Sequence, residues 1–138
     1  MVAFSNASTS SSTSKSTSVV ADDNGVLYDD NGLQITYIDA EEQSGYLDFN
    51  MSIKNDNDVE IEVQAWEVYI NGIEVDAIMS APVEPGKVAL DDMGFDLEEL
   101  EDAGIDPDEI ETVEVSFHIF NWEDEFESID TELIKFEP

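Results

Sequence analysis

Apolar and polar residues alternate strictly from residue 45 to 54: Leu47, Phe49, Met51 and Ile53 are interleaved with Asp48, Asn50, Ser52 and Lys54. A period of two places one set on one face of an extended chain and the other set on the opposite face, which specifies a half-buried strand and excludes an amphipathic helix. The rhythm recurs. Val59, Ile61, Val63 and Ala65 alternate with Glu60, Glu62 and Gln64, and Val113, Val115, Phe117 and Ile119 form a further inward row. Leu33, Ile35 and Tyr37 make a shorter one, and Val26–Tyr28, Val88–Leu90 and Leu133–Phe136 suit short strands.

Turn chemistry separates these runs. Asn55-Asp56-Asn57-Asp58 lies between the 45–54 and 59–65 runs and predicts a hairpin joining them. Val68 and Ile70 have the opposite parity to Val59–Ala65, so Trp66-Glu67 should be a bulge or a crossing between sheets. Asn71-Gly72 is a strong two-residue turn signal. One helix interrupts the pattern, over about residues 96–103. Asp96 and Glu99 have capping-box spacing, Leu97 and Leu100 give an apolar stripe, and Gly104 supplies the left-handed residue that lets Ile105 cover Leu100. About seven or eight strands with one short helix in a strand connection predict an all-β, two-sheet sandwich with the helix at one end.

Charge divides the chain in two. Residues 1–21 contain no Asp or Glu, and eleven of residues 1–18 are Ser or Thr; this segment is expected to be a disordered linker. Residues 22–138 hold all 35 acidic residues against three Lys, a net charge of -32, and are expected to form the folded domain. A surface this negative argues against direct binding of nucleic acid, which needs clustered Lys and Arg. Among 138 residues no apolar run reaches the ~20 of a membrane helix, so no transmembrane segment is expected. Like charge favours a monomer. Cys is absent, which removes disulfides, thiolate catalysis and zinc–thiolate sites.

The ordered cues Asp30-Asn31-Gly32-Leu33-Gln34-Ile35, Ile53-Lys54-Asn55, Ile70-Asn71-Gly72, Pro85-Gly86-Lys87, Leu97–Ile105 and Ile110–Phe117 resemble the immunoglobulin-like modules of uncharacterised secreted proteins and lipoproteins of Gram-positive, often gut, bacteria. The resemblance spans roughly residues 26–136 and implies an immunoglobulin-like β-sandwich at the cell surface or outside the cell, without catalytic residues. The lipid-attachment Cys of such lipoproteins is missing.

Two candidate sites follow. Asp29, Asp30, Asp56 and Asp58 lie in Asp/Asn-rich turns and would be the ligands of any weak calcium binding, although no turn places Gly at position six of a twelve-residue calcium loop. No other cofactor is expected. If Val113–Ile119 faces inward, His118, Phe120 and Trp122 point outward as an aromatic stripe, with Glu123 and Asp124 beside it to accept sugar hydroxyls. Burial under loops or the Trp66/Tyr69 region is the ordinary fate of such large aromatics. The lone His118 lacks a nucleophile-elbow motif, and carboxylate pairs are too abundant to discriminate, so no enzyme is expected. The expected role is display, adhesion or spacing. The alternatives are a module binding an extracellular glycan or protein through the aromatic stripe, and an acidic mimic of nucleic acid.

Overall fold

In the computed structural model, which describes Val19–Val20 and residues 25–138, the chain folds as two packed sheets. The elements run β1 (Val19–Val20), β2 (Val26–Asp30), β3 (Leu33–Gln43), β4 (Tyr46–Asn55), β5 (Ile61–Ile70), β6 (Ile73–Val75), β7 (Ser80–Val83) and β8 (Val88–Asp96). Helix α1 (Leu97–Asp102) and a single 3-10 turn (Pro107–Glu109) lead to β9 (Val113–Phe120), β10 (Ile129–Asp130) and β11 (Ile134–Phe136). The smaller sheet has the order β2-β3-β4-β8. The larger has the order β1-β11-β9-β5-β6, with β10 added beside β9 and β7 beside β5. Among the described residues all pairings are antiparallel except the short parallel one of β1 with β11.

The expected all-β sandwich is therefore the observed architecture, with more strands than the alternation marked. Short β1, β7 and β10 were not distinguishable in the sequence, and β8 runs six residues beyond Leu90. Val19 and Val20 fall inside the segment expected to be linker but pair with Ile134 and Lys135; the remainder of the expected linker lies outside the described residues.

One expectation fails. The runs 45–54 and 59–65 do not form a hairpin: β4 pairs with β3 and β8 in the small sheet, and β5 pairs with β6, β7 and β9 in the large one. The connecting residues arch between the layers because Asn55 is fully buried and acts as a bracket there. Its Nδ2 donates to the carbonyls of Val59 at 2.9 Å and Val83 at 3.0 Å, and its Oδ1 accepts from the Asn57 backbone N–H at 2.9 Å. β8 then returns beside β4 in the small sheet, and β9 beside β5 in the large one.

Alternation sets the core. Leu47, Phe49, Met51 and Ile53 of β4 face Ile61, Val63, Val68 and Ile70 of β5 and the inward row of β9, all nearly inaccessible to solvent. An aromatic cluster joins the layers. Phe49 meets Phe95 at 5.3 Å within the small sheet and reaches Phe136 of β11 at 6.1 Å, while Tyr37 packs on Phe136 at 5.0 Å.

Local turn and cap chemistry reads as expected. Asn31-Gly32 and Asn71-Gly72 have positive φ at both positions and close two-residue hairpins. Asp96 caps α1, its Oδ1 accepting from the N–H groups of Glu98 and Glu99. The helix ends with Ile105 N–H donating to Leu100 C=O, which buries both side chains, and it begins with Leu97 N–H donating to Gly45 C=O in the β3–β4 turn. The helix thus closes one end of the sandwich.

Candidate functional site: the aromatic face of the large sheet

The inward row Val113, Val115, Phe117 and Ile119 turns His118 and Phe120 to the outer face, as the period of two requires. Adjacent β5 does the same with Glu62 and Gln64. Gln64 lies opposite His118, and Glu62 opposite Phe120. The register then shifts between Ala65 and Glu67, at the expected bulge, and the bulge carries Trp66 onto His118.

The rings form a continuous row. Trp66 stacks on His118 at 4.0 Å and 19°, His118 stacks on Phe120 at 4.9 Å, and Phe120 meets Trp122 edge to face at 4.7 Å. The first three rings turn their faces toward one another. Trp66 is 61% and Trp122 68% exposed, so the row is not roofed over. Its open ring surface is concentrated at these two ends.

Polar groups hold the row in place. Glu62, unremarkable in the sequence as one acid among 35, is only 7% exposed. It accepts hydrogen bonds from Trp122 Nε1–H at 2.7 Å, Ser80 Oγ–H at 2.6 Å and Gln64 Nε2–H at 3.1 Å. Burial pushes its carboxyl up, but the three donated bonds outweigh that effect and hold it below the usual carboxylate range. Gln64 in turn accepts from Trp66 Nε1–H at 3.3 Å, so both indoles are tied to β5. On the other side of the row, His118 Nδ1 lies 2.6 Å from Asp130 on β10.

Beyond Phe120 the chain leaves the sheet through a loop organised by Asn121. Its Oδ1 accepts from the N–H groups of Glu123 at 2.8 Å and Glu125 at 3.0 Å, and its Nδ2 donates to Glu60 C=O at 2.6 Å. That bracket fixes the position of Trp122 and leaves Glu123 and Asp124 exposed beside it, Asp124 with φ of 59°. The five residues expected at this site therefore share one end of the large sheet. Trp66, Glu62, Gln64 and Asp130 join them through strand pairing that the sequence does not encode locally.

The candidate calcium ligands are arranged otherwise. Asp29 and Asp30 flank the β2–β3 turn, where Asp29 accepts weakly from Gln34 and Asp30 from the Asn31 N–H. Asp56 lies 3.9 Å from Lys54. The two turns do meet, through Asp56 N–H to Gly32 C=O and Asn57 Nδ2–H to Asn31 C=O. Among the described residues, however, no group of three or more His, Asp or Glu side chains has the spacing to hold a metal ion. No described helix is long and apolar enough to cross a membrane.

Fold and face together define a two-sheet β-sandwich with an exposed aromatic row on its larger sheet. No protein-family model matches the chain, and no curated protein matches it. Among solved structures, it is similar to the crystal structure of a FixG-related protein from Vibrio parahaemolyticus, with TM-score 0.39 and 15% identity over 78% of this chain and 96% of that one. That likeness is weak and extends to β-rich architecture alone.

Proposed function

We propose that this chain is a non-enzymatic module of an exported bacterial protein, displayed outside the cell, that adheres to glycan through the aromatic face of its large sheet. The observation that carries this reading is Trp122: a ring 68% exposed, yet held in one orientation by its N–H bond to the buried Glu62. A preoriented indole loses little entropy on binding and gives a sugar ring an apolar surface. Glu123 and Asp124 supply carboxylates beside it for sugar hydroxyls. The Ser/Thr-rich segment of residues 1–18 and the resemblance to secreted immunoglobulin-like modules support the extracellular setting.

A structural rather than proton-transferring role for His118 agrees with its environment, stacked between Trp66 and Phe120 with Nδ1 against Asp130. The test is a tryptophan-fluorescence titration of the full chain against a panel of soluble polysaccharides. At least one should quench or shift the emission, and Trp122→Ala should abolish binding while leaving the circular dichroism unchanged. If no polysaccharide in the panel binds, the glycan reading is wrong.

A further inference from the structure

Trp122 differs from an ordinary exposed indole in what its edge touches. The N–H donates to a carboxylate 2.7 Å away, and that carboxylate is 7% exposed and satisfied by two further donors. A fixed negative charge at the ring edge makes the ring face more negative. Cations bind indole faces through that same negative potential. The neighbouring groups act in the same direction. Glu123 and Asp124 are exposed next to Trp122. The body's three Lys are at positions 54, 87 and 135, so none lies on β5, β7, β9 or β10, the strands that build this face.

Resting on the glycan reading above, we propose that the aromatic face recognises an amino-sugar polymer, a glycan whose free amines are protonated, with an ammonium group over Trp122 and others beside Glu123 and Asp124. A polymer bearing sulfate, phosphate or carboxylate would meet repulsion from the same groups, and a neutral one would gain only the stacking. A cation–π contact with desolvation is worth about 1–2 kcal/mol, so a protonated oligomer should bind roughly tenfold tighter than its uncharged counterpart.

The experiment compares glucosamine oligomers with fully N-acetylated oligomers of equal length, by calorimetry and tryptophan fluorescence on the full chain at mildly acidic pH. The expected result is tighter binding of the free-amine oligomer by roughly an order of magnitude, with the preference lost in Trp122→Ala and reduced in Glu62→Gln. Trp122→Phe, which keeps a ring and removes the N–H, should retain binding but lower the preference. Equal affinity for both oligomers would overturn the charge assignment while leaving glycan binding intact. Binding of neither would overturn the glycan reading too. Free-amine binding unchanged in Trp122→Ala would show attraction to bulk charge and overturn the site. Polylysine competing with equal strength and equal Trp122 dependence would overturn the sugar class in favour of a basic protein partner.

Discussion

The indole N–H of Trp122 and the carboxylate of Glu62, 60 residues apart in the chain, meet at 2.7 Å on the outer face of the large sheet. This contact couples the most exposed ring of the aromatic row to a carboxylate buried at the opposing strand. Replacing Trp122 by Phe removes one of the three donors to Glu62, and should lower stability by about 1 kcal/mol in urea unfolding. The Glu62 carboxyl, followed by NMR titration, should shift upward toward its ordinary range. An unchanged Glu62 titration would show that the bond does not persist in solution.

Asn55 should be far less tolerant than its surface neighbours. Asn55→Ala leaves the Val59 and Val83 carbonyls without their side-chain donor inside the arch, and should cost about 3 kcal/mol. Asn57→Ala, removing a half-buried side chain, should cost about 1 kcal/mol. Equal losses in urea unfolding would contradict the bracket role assigned to Asn55.

Acid should first stabilise and then destabilise the fold. Burial, then Asp92 and Glu41, push the Asp48 carboxyl up; burial, chiefly, pushes Asp91 up against the hydrogen bond from the Asp92 backbone. A carboxyl with a raised folded pKa contributes stability that is present below its unfolded pKa and lost as pH rises through the folded value. Lowering the pH from neutral therefore restores that stability. Glu62 has the opposite sign: its contribution is present above its unfolded pKa and lost as pH falls through its depressed folded value. The melting temperature should rise from neutral to mildly acidic pH and then turn over. Asp48→Asn should raise the neutral-pH melting temperature by about 2 °C and flatten the rise. A monotonic fall from neutral pH would contradict this.

Salt should raise the melting temperature. The body carries a net charge of -32 with His118 neutral, so its carboxylates far outnumber its three Lys, of which Lys54 lies 3.9 Å from Asp56. Repulsion among the carboxylates is stronger in the folded than in the unfolded chain, and screening at about 0.3 M salt relieves it. A melting temperature independent of salt by calorimetry would refute the dominance of repulsion.

Two glycines at positive φ should respond unequally to Ala. Gly72, at φ of 82°, has open space around it, so the cost is that of backbone strain, about 1 kcal/mol. At Gly25, φ 83°, an added Cβ would also lie 2.7 Å from the Tyr37 carbonyl oxygen. Gly25→Ala should therefore lose clearly more stability in urea than Gly72→Ala, and equal losses would contradict the close approach.

The layout of the candidate site was legible to different depths. His118 and Phe120 were readable because outward placement follows from parity along β9, whereas Trp122 lies past the end of that strand and is placed by the loop bonds of Asn121. Glu62 was not, since an acid alternating with Ile61 and Val63 looks the same whether it meets water or three donors. Trp66 was legible as a bulge but not as a ring stacked on His118, because that contact depends on which strand β5 pairs with. The same limit explains the failed hairpin. Asn55-Asp56-Asn57-Asp58 has turn chemistry suited equally to a hairpin and to an arch between layers, and the buried bonds of Asn55 decide between them.

Sequence alone determined the strand faces, the Asn-Gly turns, the cap of the helix and the excess of negative charge, because each depends on residues within a few positions or on composition. Tertiary structure decided the strand order, the arch at Asn55 and the union of Trp66, Glu62, Trp122 and Asp130 on one face. Those depend on pairing between distant segments, whose free energy comes from burying both sheets at once and is invisible in any short window.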